Sequence, residues 1–285
     1  MSWMTSGKKA TTRWKDQDDT RQEKFWLLPD RYWMPKDSKR VVVWVDEDGV
    51  AVREHSVRID GKRREVVTCS SDEEGAHANC CQKLGRERGE YARVLVWTVV
   101  DTSEWQTKDG KTRRNELRMF SAKWNSSEKL LDRQAEYGLE YSVYRVRRYS
   151  QTFEPSVGSD FDFQKKVEDR VAFFNACYYK GTALSKLWDE AESDPLQMAK
   201  LKKLFQVKLN ANGELLREVV PFNYSVVLAP PSAADIDAIA VKAQAMKGGY
   251  GGAPMGNGND GFGSMNDFGS ATAGPDGFSD ADIPF

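Results

Sequence analysis

The chain has 285 residues, 40% of them hydrophobic and 11% aromatic, enough for one large domain or two small ones around a real core. No run approaches 18 consecutive apolar residues, which excludes a membrane-spanning helix. The formal net charge of −1 hides an asymmetry: residues 248–285 hold five aspartates and no Lys or Arg, leaving +4 on residues 1–247. A basic body with an acidic tail is the charge pattern of a polyanion binder.

Residues 1–24 are polar and aperiodic and read as an arm, in which "GKKATTR" places Lys8, Lys9 and Arg13 around two threonines. The opening "MSWMTSGKKATTRW" has no apolar leader, so the four cysteines are expected in a reducing compartment, where close-set thiols bind metal more often than they pair. From Phe25 to Phe153 strand and tight-turn signals dominate. "RVVVWV" and "VAVREHSVRI" flank Asp48-Gly49, Asp60-Gly61 follows, and Asp109-Gly110 separates "YARVLVWTVVDTSEW" from "TRRNELRMFSA". Asp-Gly between β-rich runs predicts hairpins, because glycine accepts the positive φ of the turn. A helix is expected from a cap at Asn125, paired with Glu128, to Gly138, followed by a long strand in "LEYSVYRVRRYSQTF". Strands, one helix and a further strand predict a mainly β fold with helical additions, built on a small Greek-key barrel of the OB type. A sandwich fits the same pattern.

Residues 161–247 are predicted to be mostly helical. Val167, Val171, Phe174 and Tyr178 recur at helical spacing, Asp194-Pro195 opens a second helix, and Ser232 with Asp235 caps a third. Asn212-Gly213 marks one more hairpin. Beyond Lys247 the Gly, Asn, Asp and Ser composition buries too little surface to offset the entropy of ordering, so this tail is expected to be disordered.

Five of the six Cys and His residues fall between positions 55 and 81. His55, Cys69, His77 and Cys80 read H-x13-C-x7-H-x2-C, with Cys81 as an alternative to Cys80 or His77. Two thiolates and two imidazoles suit tetrahedral zinc, and four protein ligands would make the site structural.

Aromatic and basic residues interleave on the predicted strands. Tyr91, Arg93 and Trp97 share one face of their strand, with Val94, Val96 and Thr98 on the other. The next hairpin adds Trp105, Lys111, Arg113, Arg114 and Arg118. "YSVYRVRRY" contributes Tyr141, Tyr144, Arg145, Arg147, Arg148 and Tyr149. Single-stranded nucleic acid calls for this mixture, cations along the phosphates and flat rings on which any base can stack. No constellation of catalytic residues is present: the metal claims both histidines, and the glycines cluster in the tail rather than in a phosphate loop.

The chain ends in "FSDADIPF". Asp280 and Asp282 suit a basic rim, Ile283 and Phe285 an apolar pocket, and Pro284 lowers the entropy lost on docking. This tip closely resembles that of bacterial single-stranded DNA-binding proteins, which docks replication and repair partners. The whole chain resembles, in patches, the single-stranded DNA-binding proteins of tailed bacteriophages of the phage T4 helix-destabilising type. In that family a basic arm serves self-association, as "KKATTR" here would, and an OB-fold core carries a structural zinc subdomain. His55 and Cys69 match its first two zinc ligands in spacing, and His77 and Cys80 stand where the family has Cys-x2-Cys. "VPFNYSVVLAPPSAADIDAIA" is similar to the segment that closes the core in phage relatives.

The resulting expectation is a non-enzymatic protein that coats single-stranded DNA without sequence preference, inside a bacterial host. It would serve phage replication, recombination and repair, and recruit partners through its tip. A zinc-containing nuclease or recombination enzyme with the same tip, or an RNA-binding protein, are the alternatives.

Overall fold

The computed structural model describes residues 28–59, 63–69, 80, 84, 92–106, 110–123, 127–151 and 155–245. Within them the chain forms a mixed sheet with helices packed against it. Its strands are β1 (Ser38–Trp44), β2 (Val50–Ile59), β3 (Arg63–Thr68), β4 (Ala92–Asp101), β5 (Trp105–Gln106), β6 (Thr112–Arg113), β7 (Glu116–Lys123), β8 (Ser142–Arg148), β9 (Asp160–Lys166), β10 (Tyr178–Tyr179) and β11 (Thr182–Ala183). The helices are α1 (Glu128–Tyr137), α2 (Arg170–Ala176), α3 (Leu184–Ser193), α4 (Pro195–Leu204), α5 (Tyr224–Val227) and α6 (Ala233–Ala245).

The main sheet runs β11-β10-β7-β4-β1-β8-β9, with β2 paired to β4 and β3 to β2. β1 and β2 do not pair with each other. Both lie antiparallel to β4, Trp44 opposite Val99 and Val50 opposite Val96, so together they act as one interrupted strand. Asp48-Gly49 is therefore a break in that strand rather than the hairpin turn expected of it. Gly49 is required for space: a Cβ there would stand 2.4 Å from Cε2 of Trp97. Gly110, by contrast, has φ 77° at the tip of the small β5–β6 hairpin, as its turn demands.

Alternation along the strands builds two cores. Val42 and Trp44, Leu95, Trp97 and Val99, Phe120 and Ala122, Tyr144 and Val146, and Phe161 point to the inner, concave face. Phe120 of β7 and Phe161 of β9 come within 6.3 Å, centroid to centroid, although three strands separate them in the sheet. The sheet is thus strongly curled. No ladder joins β7 to β9 among the described residues, so the expected closed barrel is not formed by strand pairing there. Residues 30–34 sit at the gap instead. The Tyr32 amide donates to the Met119 carbonyl at 2.9 Å, and the Met34 amide to Ser156 at 3.0 Å.

One end of the curl is plugged by α1, whose Leu130 is buried among the same rings. This helix ends at Gly138 as expected, but its N-cap is Ser127, two residues beyond Asn125. The outer face, with Val41, Val43, Val94, Val96 and Leu117, packs on the helical layer through Trp188, Leu204, Phe205 and Phe222. Thr98 bolts the two together. Its hydroxyl meets Tyr224 Oη at 2.8 Å and accepts from the Phe222 amide at 2.9 Å.

The region after Phe161 is less helical than its spacing predicts. Phe161 alternates inward as part of β9, and α2 starts only at Arg170, because the Asp169 carboxylate caps it by accepting from the Ala172 amide at 2.8 Å. Val171 faces solvent and Tyr178 opens β10. The other signals here hold: Asp194 caps α4, Ser232 and Asp235 cap α6, and Gly213 has φ 82° in the turn that pairs Leu209 with Leu215.

Candidate metal centre and basic mouth

His55 lies on β2 opposite Val67 of β3, and Cys69 follows β3, its amide donating to the Arg53 carbonyl at 2.7 Å. Cys80 arrives from the connection to β4. The Sγ atoms of Cys69 and Cys80 lie 3.6 Å apart, and Cys80 Sγ is 3.6 Å from His55 Nε2. A tetrahedron with metal–sulfur bonds of about 2.3 Å and metal–nitrogen bonds of about 2.0 Å has S···S edges of roughly 3.8 Å and S···N edges of roughly 3.5 Å. The three side chains are buried and their ligand atoms all lie within 4.8 Å of one another, so this group could hold a metal ion. His77 and Cys81 lie outside the described residues.

The site is roofed by α6. Ile236 clusters with Cys69 and Cys80, and Ile239 with Val57 and Val67. The hydrophobic positions of "ADIDAIA" thus pack on the β2–β3 hairpin and the cysteines beside it.

The rings and cations named from sequence divide sharply. Trp97, Tyr141 and Tyr144 are core residues, so their expected role as base-stacking rings is corrected. Trp97 and Tyr144 fill the curl, and the Tyr141 hydroxyl donates to the Val219 carbonyl. Burial pushes the Tyr141 hydroxyl well above the ordinary phenol range and Tyr144 up to about 12. Arg148 is also buried, donating to the Met34 carbonyl, so it acts from inside the surface rather than as a free cation. Arg93 is exposed but stands at the start of β4, opposite Arg53 and the length of the strand away from the others. Tyr91, Lys8, Lys9, Arg13, Asp280, Asp282, Ile283, Pro284 and Phe285 lie outside the described residues.

What remains gathers at the end of the curl opposite α1. Arg148 (β8), Arg40 (β1), Asp101 (β4) and Arg118 (β7) continue the inward-facing rows of Val146, Val42, Val99 and Phe120 beyond the apolar core. Arg40 Nη1 lies 2.8 Å and Arg118 Nε 3.8 Å from the fully buried Asp101 carboxylate. Tyr32 is held beside them, its hydroxyl pushed up first by burial and then by the Asp101 charge. Trp105 closes one side, 5.1 Å from the Arg118 guanidinium and 5.6 Å from that of Arg113. Trp33 closes the other, 5.9 Å from Arg148. Four arginines thus face two carboxylates, Asp101 and the Glu116 that pairs with Arg113 at 3.5 Å. Exposed Lys111 and Arg114 flank Trp105, Arg114 near Glu104 at 3.5 Å. The Tyr32 hydroxyl, Trp105 Nε1 and Arg118 Nε have no hydrogen-bond partner among the described residues.

Arg147, Tyr149 and Arg145 lie on the outward side of β8. The Arg147 guanidinium is 5.6 Å from the Tyr149 ring, whose hydroxyl donates to Asp160 at 2.9 Å, and Arg145 pairs with Asp162 at 3.7 Å. Trp33, Tyr32 and Arg40 were not singled out by the sequence.

No helix among the described residues is long and apolar enough to cross a membrane. Comparison with family models, curated proteins and solved structures finds no match to this chain.

Proposed function

We propose that the protein binds single-stranded DNA without sequence preference, and without catalysis, across the basic mouth of the curled sheet. The observation that carries this reading is the row Arg148–Arg40–Asp101–Arg118 with a tryptophan at each side. An excess of guanidinium beside indole rings suits a chain of phosphates carrying unstacked bases.

The fold is read as an OB core opened at its seam. Edge to edge, an OB barrel cut between its third and fifth strands runs third, second, first, fourth, fifth, with a helix between the third and fourth. The order β7-β4-β1-β8-β9, with α1 between β7 and β8, supports that reading. The metal is proposed to be structural zinc, with His77 completing His55, Cys69 and Cys80. The resemblance to phage single-stranded DNA-binding proteins adds a role in replication, recombination and repair within a bacterial host. There the arm around Lys8, Lys9 and Arg13 would serve contacts between neighbours, and the tip from Asp280 to Phe285 would dock replication and repair proteins.

Fluorescence titration with oligo-dT, oligo-U and duplex DNA tests the reading. Oligo-dT should bind more tightly than duplex, with a log–log salt slope of roughly −0.7 per phosphate neutralised. Equal affinity for single and double strands overturns it, and a preference for oligo-U moves it to RNA.

A further inference from the structure

Trp33 is half exposed, at 51%, between Tyr32 at 3% and Met34 at 0%. The backbone on both sides is fixed, through Tyr32 to Met119 and Met34 to Ser156. Alternation therefore aims the indole away from the core, and it cannot fold back to bury itself. The segment that follows it is charged rather than apolar, with Lys36, Asp37 and Lys39 all exposed. A lone ring ahead of such a segment does not by itself make the contiguous apolar patch that a protein partner needs. Buried Arg148 lies against the ring and is itself pinned to the Met34 carbonyl.

We propose that Trp33 is a base-stacking platform. One unstacked nucleobase lies on its exposed surface while the adjoining phosphates meet the arginine excess of the mouth. The assignment rests on the single-strand reading and adds to it a specific ring that binds a base rather than a phosphate. The held backbone lowers the entropy lost on stacking, since neither the loop nor the indole has to be ordered by the ligand.

The test compares the full-length protein with Trp33→Ala and Trp33→Phe, on oligo-dT and on an abasic oligomer of equal length that keeps every phosphate. Trp33→Ala should weaken oligo-dT binding by roughly 5- to 150-fold and leave abasic binding unchanged, while Trp33→Phe recovers most of the loss. Unchanged oligo-dT affinity in Trp33→Ala, or equal loss on both oligomers, overturns the platform and leaves the single-strand reading in place. A wild-type protein that binds neither oligomer overturns that reading, and the platform with it.

Discussion

The curled sheet with its helical layer and the β2–β3 hairpin that carries His55 are held together by different physics. In the sheet, Trp44 contacts Phe120, Tyr144 and Phe161 within 5.3–6.0 Å, and a second core continues through the helices on the other face. Each such buried side chain contributes about 1.5–3 kcal/mol, enough collectively to oppose chain entropy. Among the described residues the hairpin packs Val57 and Val67 with Ile239 and the partly buried Leu84 in one small cluster, and Cys69 and Cys80 with Ile236 in the other. Such small clusters offset little of the about 1–2 kcal/mol of backbone entropy per ordered residue, and the metal proposed at His55, Cys69 and Cys80 would supply the rest. Helix α6, at 13 residues too short to persist alone, depends on the hairpin in turn.

The sharpest way to break this contrast is to remove the metal proposed at His55, Cys69 and Cys80. Structural zinc contributes about 10–16 kcal/mol of apparent binding free energy at neutral pH. Chelation should therefore release amide protection in β2, β3 and α6 while β4, β7 and β8 stay protected, as read by hydrogen exchange. Uniform loss of protection, or none, would show that the two regions are not separately held.

A smaller effect is expected from the opposite side. Gly49→Ala drives a methyl into Trp97, which is fully buried and hemmed by Phe120. Overpacking of this kind costs about 1–3 kcal/mol. The melting temperature should fall while zinc per chain is unaltered. An unchanged melting temperature would mean that Trp97 has room to move, contrary to its packing.

A pH-dependent effect is expected at the bolt between sheet and helices. Asp46 accepts from the Thr98 amide at 3.0 Å and from the Tyr224 hydroxyl, and burial raises its carboxyl from 3.8 to about 7. Between those values the folded state holds a proton that the unfolded chain has released. Its contribution therefore favours folding below about pH 4 and is lost as pH rises towards 7. The slope should not exceed about 1.4 kcal/mol per pH unit. Asp46→Asn should flatten that part of the stability profile, and an identical profile in the variant would remove Asp46 from the account.

Much of this was legible in the chain, for reasons particular residues make plain. Ser232 with Asp235, and Asp194 before Pro195, are local signals, and local chemistry decided them. Gly49 was legible as special but not for its reason, because the indole that excludes a side chain lies 48 residues away. "YSVYRVRRY" announced arginines and rings together. It could not say that Tyr144 faces a core while Arg148, four residues on along the same face, reaches the mouth. A signal for the mouth did exist. In "RVVVW", "RMFSA" and "YRVRR" an arginine stands two residues beyond an inward apolar side chain, at Arg40, Arg118 and Arg148. Only the register between strands shows that the three meet at one end.

The central claim is that a single strand lies across this mouth, on the exposed rings and not on the buried ones. Photocrosslinking the full-length protein to an oligomer containing 5-bromodeoxyuridine, with the modified peptides identified by mass spectrometry, tests it most directly. Adducts are predicted at Trp33 or Trp105. Adducts in the helical layer between residues 184 and 228, with those two peptides unmarked, would contradict it.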